Sequence, residues 1–104
     1  MDIKGVRRER QITKAKLEFL NGEGTYNLFE VTTIGRADDC DIVVESPYVS
    51  SKHAIIKKRG KNFVLQDLNS TNGTILNGEK VKKISKLKNG DIILIGDTEL
   101  KFIL

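Results

Sequence analysis

The chain has no tryptophan, one cysteine, one histidine and one proline among 104 residues, and the scarcity of cysteine and histidine closes off whole classes of chemistry. A lone Cys40 has no partner for an internal disulfide. One His with one Cys cannot assemble a structural zinc site, so no metal or cofactor is expected. The longest wholly aliphatic run is Ile92–Ile95, far short of the roughly 20 apolar residues that cross a bilayer as a helix. Met1 to Gln11 is charged and lacks the apolar stretch of a secretory signal. No Gly-x-x-x-x-Gly-Lys-Ser/Thr loop is present for nucleotide hydrolysis. No Gly-x-Ser-x-Gly elbow is present for a serine hydrolase. Cys40 lies between Asp39 and Asp41, whose charges disfavour the thiolate that a nucleophile requires. These absences predict a single soluble, cytoplasmic, non-catalytic domain without membrane contact.

What is present is charge and alternation. Eighteen Lys and Arg against fourteen Asp and Glu give a net charge of +4. Such a surface steers acidic partners toward it without identifying them. The basic residues cluster in Arg7, Arg8 and Arg10, in Lys57 to Lys61, and in Lys80 to Lys88. Residues 1–10 have no apolar periodicity and read as a flexible basic arm, leaving 11–104 as the folded domain.

From Ala15 the pattern takes a period of two, with Ala15, Leu17 and Phe19 set against Lys16 and Glu18. Asn21-Gly22-Glu23-Gly24 is a turn, and Tyr26 to Val31 reads as the second strand of a hairpin. Short strands are expected at Ile42–Val44, Ala54–Lys57 and Phe63–Gln66, then at Ile92–Ile95 and Leu100–Leu104. Val81, Ile84 and Leu87 recur every three residues. Their segment is short and closed by Asn89-Gly90, so it reads as a loop with brief extended pieces. Many short strands with frequent turn signals argue for an all-β sandwich or barrel.

The densest information lies in Asp67-Leu68-Asn69-Ser70-Thr71-Asn72-Gly73-Thr74-Ile75-Leu76-Asn77-Gly78, where nine of twelve residues are polar or glycine. Such a segment suits a shaped loop whose N–H groups and short side chains converge on something polar. Upstream stand Ile34-Gly35-Arg36 and Val49-Ser50-Ser51-Lys52-His53-Ala54. An arginine, a serine and a threonine on separate loops make an inventory for gripping phosphate: a planar fork of donors, with hydroxyls and amides to complete the shell.

These pieces resemble the forkhead-associated (FHA) domain, a reader of phosphothreonine peptides. The resemblance runs from about Leu17 to Leu104 and includes Asp41-Ile42 and the Leu87-x-Asn89-Gly90-Asp91 turn. It implies a two-sheet β-sandwich of about eleven short strands with binding loops at one end. It also implies a threonine-phosphorylated protein or peptide as partner, and a monomer is expected. By the same resemblance Arg36, Ser50 and Thr71 contact the phosphate or the bound peptide, and Asn72 bonds the peptide main chain. Ser51 belongs to the same set, although many family members carry Arg or Asn there. Gly35, His53, Gly73 and Asn77 are implied to scaffold the site, with the His53 ring bonded to loop backbone.

Two other readings compete. Lys57–Lys61 and Lys80–Lys88 are candidates for nucleic-acid contact, but four Phe and two Tyr leave few platforms for stacking bases. A phospho-independent scaffold of the same fold is the other, and the intact set of Arg36, Ser50, Thr71 and Asn72 argues against loss of the site.

Overall fold

A computed structural model describes residues 10–104, so the reading of Met1 to Glu9 as an arm lies outside the described residues. Eleven strands follow in order: β1 Ile12–Phe19, β2 Gly24–Phe29, β3 Val31–Gly35, β4 Ile42–Val43, β5 Ala54–Arg59, β6 Asn62–Asp67, β7 Thr74–Leu76, β8 Glu79–Lys80, β9 Ile84–Lys86, β10 Ile92–Ile95 and β11 Thr98–Ile103. They form two sheets, of order β2-β1-β11-β10-β7-β8 and β4-β3-β5-β6-β9. Among the described residues there is no helix, and so none long and apolar enough to cross a membrane.

The period-two residues meet between the sheets. Ala15, Leu17, Ile93, Ile95, Leu100 and Phe102 line one inner face, and Ile34, Ala54, Ile56 and Leu65 line the other, all fully buried. Phe63 and Phe102 bring their ring centroids to 5.6 Å across the sandwich. Each such aliphatic or aromatic side chain contributes about 1.5–3 kcal/mol by leaving water. Val81 and Leu87 are buried while Ile84 is exposed, so the three-residue recurrence marks short extended pieces.

Two strand expectations need correction. Thr74–Leu76, read as part of one polar loop, is strand β7 paired with β10. Tyr26 to Val31 is not continuous, because β2 stops at Phe29 and β3 starts at Val31 in the opposite sheet. The physical reason lies at Thr32. Its buried hydroxyl accepts the Phe29 N–H at 2.8 Å and lies 3.3 Å from the Phe29 carbonyl oxygen. It thereby satisfies backbone that a sheet partner would otherwise serve. The chain turns at Glu30 without glycine or proline.

Arg10, taken as the last residue of the arm, is held against the sandwich. Its guanidinium bonds both carboxylate oxygens of Asp41, donates to the Val31 carbonyl at 2.7 Å, and lies 3.9 Å from the centroid of the Phe29 ring.

The strand directions gather the start of the loop at Arg36-Ala37, the loops 44–53 and 68–73, the residues 81–83 and the turn Gly96-Asp97 at one end of the sandwich. The turns at Gly60, at Asn77-Gly78 and at Lys88–Asp91 lie at the other.

Candidate ligand-binding rim

The rim is built on backbone contacts between loops. Gly35 ends β3 with an ordinary φ, and a Cβ there would overlap the Ser51 carbonyl oxygen. Close approach, not left-handed backbone, is therefore what requires glycine. With the strand pressed against the 44–53 loop, the Arg36 N–H donates to the Ser50 carbonyl at 3.0 Å and the Ala37 N–H to the Ser51 carbonyl at 3.2 Å. The Arg36 side chain stands exposed, with no ion pair among the described residues. Asp39, three residues on, is taken by Lys52 at 2.5 Å.

His53 is the internal tie. It is fully buried, its Nδ1 accepts the Ser50 N–H at 3.1 Å, and its Nε2 lies 2.9 Å from the Gly73 carbonyl oxygen. A carbonyl only accepts, so Nε2 carries the proton and the ring is the neutral tautomer. One side chain thereby joins the 44–53 loop to the 68–73 loop. Its backbone joins in too: the His53 N–H donates to Ile34 and the Leu68 N–H to the His53 carbonyl, both at 2.9 Å.

Asp67 holds the 68–73 loop from beneath. One of its oxygens accepts from the Ser70 hydroxyl at 2.5 Å and the Thr74 hydroxyl at 2.7 Å, and the other from the Ser70 N–H at 3.0 Å. The Ser70 oxygen in turn accepts the Gly73 N–H at 2.9 Å. Burial opposes ionisation of Asp67, and the donors from Ser70 and Thr74 outweigh it, so its carboxyl titrates below the usual range. Asn69 at φ 57° and Gly73 at φ 84° turn the backbone around this carboxylate.

Thr71 and Asn72 are left exposed at the crown of the loop. The Thr71 N–H donates to the Ser50 hydroxyl oxygen at 3.0 Å, so the Ser50 proton is free to point outward. Asn72 Nδ2 donates to the Tyr48 carbonyl at 2.8 Å, leaving its oxygen and one amide proton for another partner. Arg36, Pro47, Tyr48, Val49, Ser50, Thr71 and Asn72 together enclose a depression of about 140 Å³. A larger hollow of about 680 Å³ lies elsewhere, beside Arg10 and Asp41, where the arginine charge is already engaged.

Not every residue singled out in the sequence reaches this rim. Asn77 closes the far end of β7, where its side chain bonds Asp91 at 3.0 Å and the Ile92 N–H at 2.8 Å. It fastens the β7–β8 turn to β10, a strand's length from the crown. The Ser51 side chain is exposed but does not line the depression; its carbonyl, which accepts from Ala37 and from the Cys40 thiol at 3.2 Å, supports the loop instead. Burial, more than the flanking carboxylates, pushes the Cys40 thiol up. Sequence reasoning missed Pro47, Tyr48 and Val49 as rim residues, although the chain's one proline marked the segment.

Comparison with known proteins agrees with this architecture. The family model described as FHA domain matches residues 32–96. The chain is 39% identical over 85 residues to the transcriptional regulatory protein EmbR of Mycobacterium tuberculosis, covering 82% of this chain and 22% of EmbR. It is 41% identical over 68 residues to the FHA domain-containing protein FhaB of Mycolicibacterium smegmatis, covering 65% of this chain and 44% of FhaB. It therefore spans less than half the length of either relative. Mycobacterium tuberculosis EmbR solved in complex with a low affinity phosphopeptide superposes with a TM-score of 0.83 at 39% identity, over 86% of this chain and 24% of that one. A domain solved in a study of phosphothreonine-dependent FHA domain interactions also gives 0.83, at 36% identity over 88% of this chain and 97% of that one. With its loops on two docked sheets, its Gly-Arg and Ser-x-x-His elements at one rim and a family match across most of its length, the chain belongs to the FHA domain family.

Proposed function

We propose that the rim binds phosphothreonine in an extended segment of a partner protein, and that binding is not followed by chemistry. The observation that carries this reading is the convergence of Arg36, Ser50, Thr71 and Asn72, drawn from three loops, on one small depression. A phosphate brings about −1.5 to −2 charges and three acceptor oxygens. Arg36 offers a guanidinium without a carboxylate partner among the described residues, Ser50 and Thr71 offer hydroxyls, and Asn72 offers an amide for peptide backbone. The phosphopeptide complex of EmbR and the phosphothreonine-dependent interactions studied for the second structure support the same ligand class.

The way His53 is used supports a non-catalytic role. Its Nδ1 faces the Ser50 N–H, not the Ser50 hydroxyl, and its Nε2 is committed to the Gly73 carbonyl. No general base therefore serves Ser50. This reading places the chain in the cytoplasm, where kinases write phosphothreonine.

Calorimetry with a phosphothreonine peptide and its dephosphorylated form tests the proposal. The phosphorylated form is expected to bind at micromolar affinity, about −8 kcal/mol, and equal binding of both forms would falsify it. Arg36→Ala is expected to lose about 2–5 kcal/mol of binding, because it removes one partner of a desolvated charge pair. Its melting temperature should stay near that of the wild type, since the side chain is exposed.

A further inference from the structure

Lys80 lies where the proposed function gives it no role. The β7–β8 register sets Ile75 opposite Lys80 and Leu76 opposite Glu79, so Lys80 is the β8 residue nearer the 68–73 loop. Val81, buried behind it, is pinned by a 2.8 Å bond from its N–H to the Thr74 carbonyl. The Lys80 side chain runs back over the loop: a Cβ built on Gly73 would stand 2.9 Å from Lys80 Cε and 3.6 Å from Nζ. Its ammonium therefore lies against the residue that follows Asn72.

The charges around it are one-sided. Among the described residues the ion pairs are Arg10 with Asp41 and Lys52 with Asp39, so Lys80 has no carboxylate partner. Glu79, its strand neighbour, points to the opposite face of β8. Lys82 and Lys83, both exposed, follow at the same end of the sandwich. Arg36 leaves β3 in one sheet, whereas Lys80 sits on the outer strand of the other, and the 68–73 loop crosses between them. An extended peptide held by Asn72 thus meets Arg36 on one side of that loop and Lys80 on the other.

We infer that Lys80, supported by Lys82 and Lys83, selects ligands with an Asp or Glu close to the phosphothreonine, on the side of the 68–73 loop facing β8. The inference rests on the phosphopeptide reading. A lysine suits it: its ammonium is a mobile point charge on a long stem, able to meet a flanking carboxylate at more than one register. An exposed pair of this kind contributes modestly to affinity but discriminates well, because the opposite charge at that place is repelled.

The test uses five phosphothreonine peptides, with neutral flanks, with Asp or with Lys on the amino-terminal side, and with Asp or with Lys on the carboxy-terminal side. Each is titrated into wild type, Lys80→Ala, Lys80→Glu and Lys61→Glu. Lys61, in the turn after β5, is at the far end of the sandwich and reports only the change in overall charge. The wild type should prefer one acidic-flank peptide over the neutral one by about fivefold. Lys80→Ala should erase that preference, and Lys80→Glu should invert it toward basic flanks while leaving the neutral-flank peptide bound. A wild type indifferent to acidic flanks overturns the inference, and so do equal effects of Lys80→Glu and Lys61→Glu. If no phosphothreonine peptide binds at all, the phosphopeptide reading itself fails and the role of Lys80 falls with it.

Discussion

His53 shows what a single residue does here: it makes two ring bonds to two loops and is wholly buried. His53→Ala leaves the Ser50 N–H and the Gly73 carbonyl unsatisfied, at about 1–3 kcal/mol for each buried group. Thermal melting should show a loss of stability together with weaker phosphopeptide binding; unchanged stability with lost binding would instead make His53 a ligand contact. This role was legible through the family resemblance, which implies a His53 ring bonded to loop backbone. Asn77 was not. Asn-Gly reads identically as the end of a polar binding loop and as a hairpin turn, and only the pairing of β7 with β10 decides that its side chain serves Asp91. Asp67 was legible only as the first residue of the polar segment; its reach to Thr74, seven residues on, depends on the chain doubling back.

At the scale of elements, alternation located the strands well where turns are made of glycine or asparagine. The β5–β6 hairpin about Gly60 and the β10–β11 hairpin about Gly96-Asp97 are examples. It failed at Glu30, because the signal for the break is a threonine hydroxyl folded back onto Phe29 and no turn residue announces it. The β10–β11 turn also does more than reverse the chain. Gly96 has φ 61°, and a Cβ there would stand 2.7 Å from Val49 Cγ2 and 3.1 Å from the Tyr48 backbone. Ser46 reaches across to Asp97 at 2.7 Å, closing the same contact. Gly96→Ala is therefore expected to lose about 1–3 kcal/mol through strain and overpacking. Urea unfolding should register that loss, and peptide titration should register a displaced Tyr48–Val49 segment as weaker binding. A variant as stable as wild type would mean that the turn does not brace the rim.

For the molecule as a whole, acid is the expected weak point. Asp41 is held below the usual carboxylate range chiefly by its bonds to Arg10, against the effect of burial and with help from Thr33. Asp67 is held below it by Ser70 and Thr74 against burial. A carboxyl whose folded value lies below its unfolded one stabilises the fold fully above the unfolded value, about 3.9. That stability is lost as pH falls through the folded values, because the unfolded chain binds the protons first. Stability measured by chemical denaturation should thus be flat near neutrality and decline below about pH 4. Arg10→Ala should make that decline shallower by removing the Asp41 contribution, and an unchanged profile would show that the Arg10 contact does not persist in solution.

The rim is not carried by either sheet alone, and this has a consequence for the lifetime of the fold. Arg36 and Ser50 belong to loops of one sheet, whereas Thr71 and Asn72 lie on the segment that passes to the other. An unfolded or half-opened chain has no such site, so a ligand that grips all four acts as a clasp between the layers. Mass action then adds about 2.7 kcal/mol to folding stability at a free ligand concentration one hundred times Kd. Resistance to proteolysis and heat would rise with the supply of phosphorylated partner, so the persistence of the domain itself would register the activity of the kinase upstream.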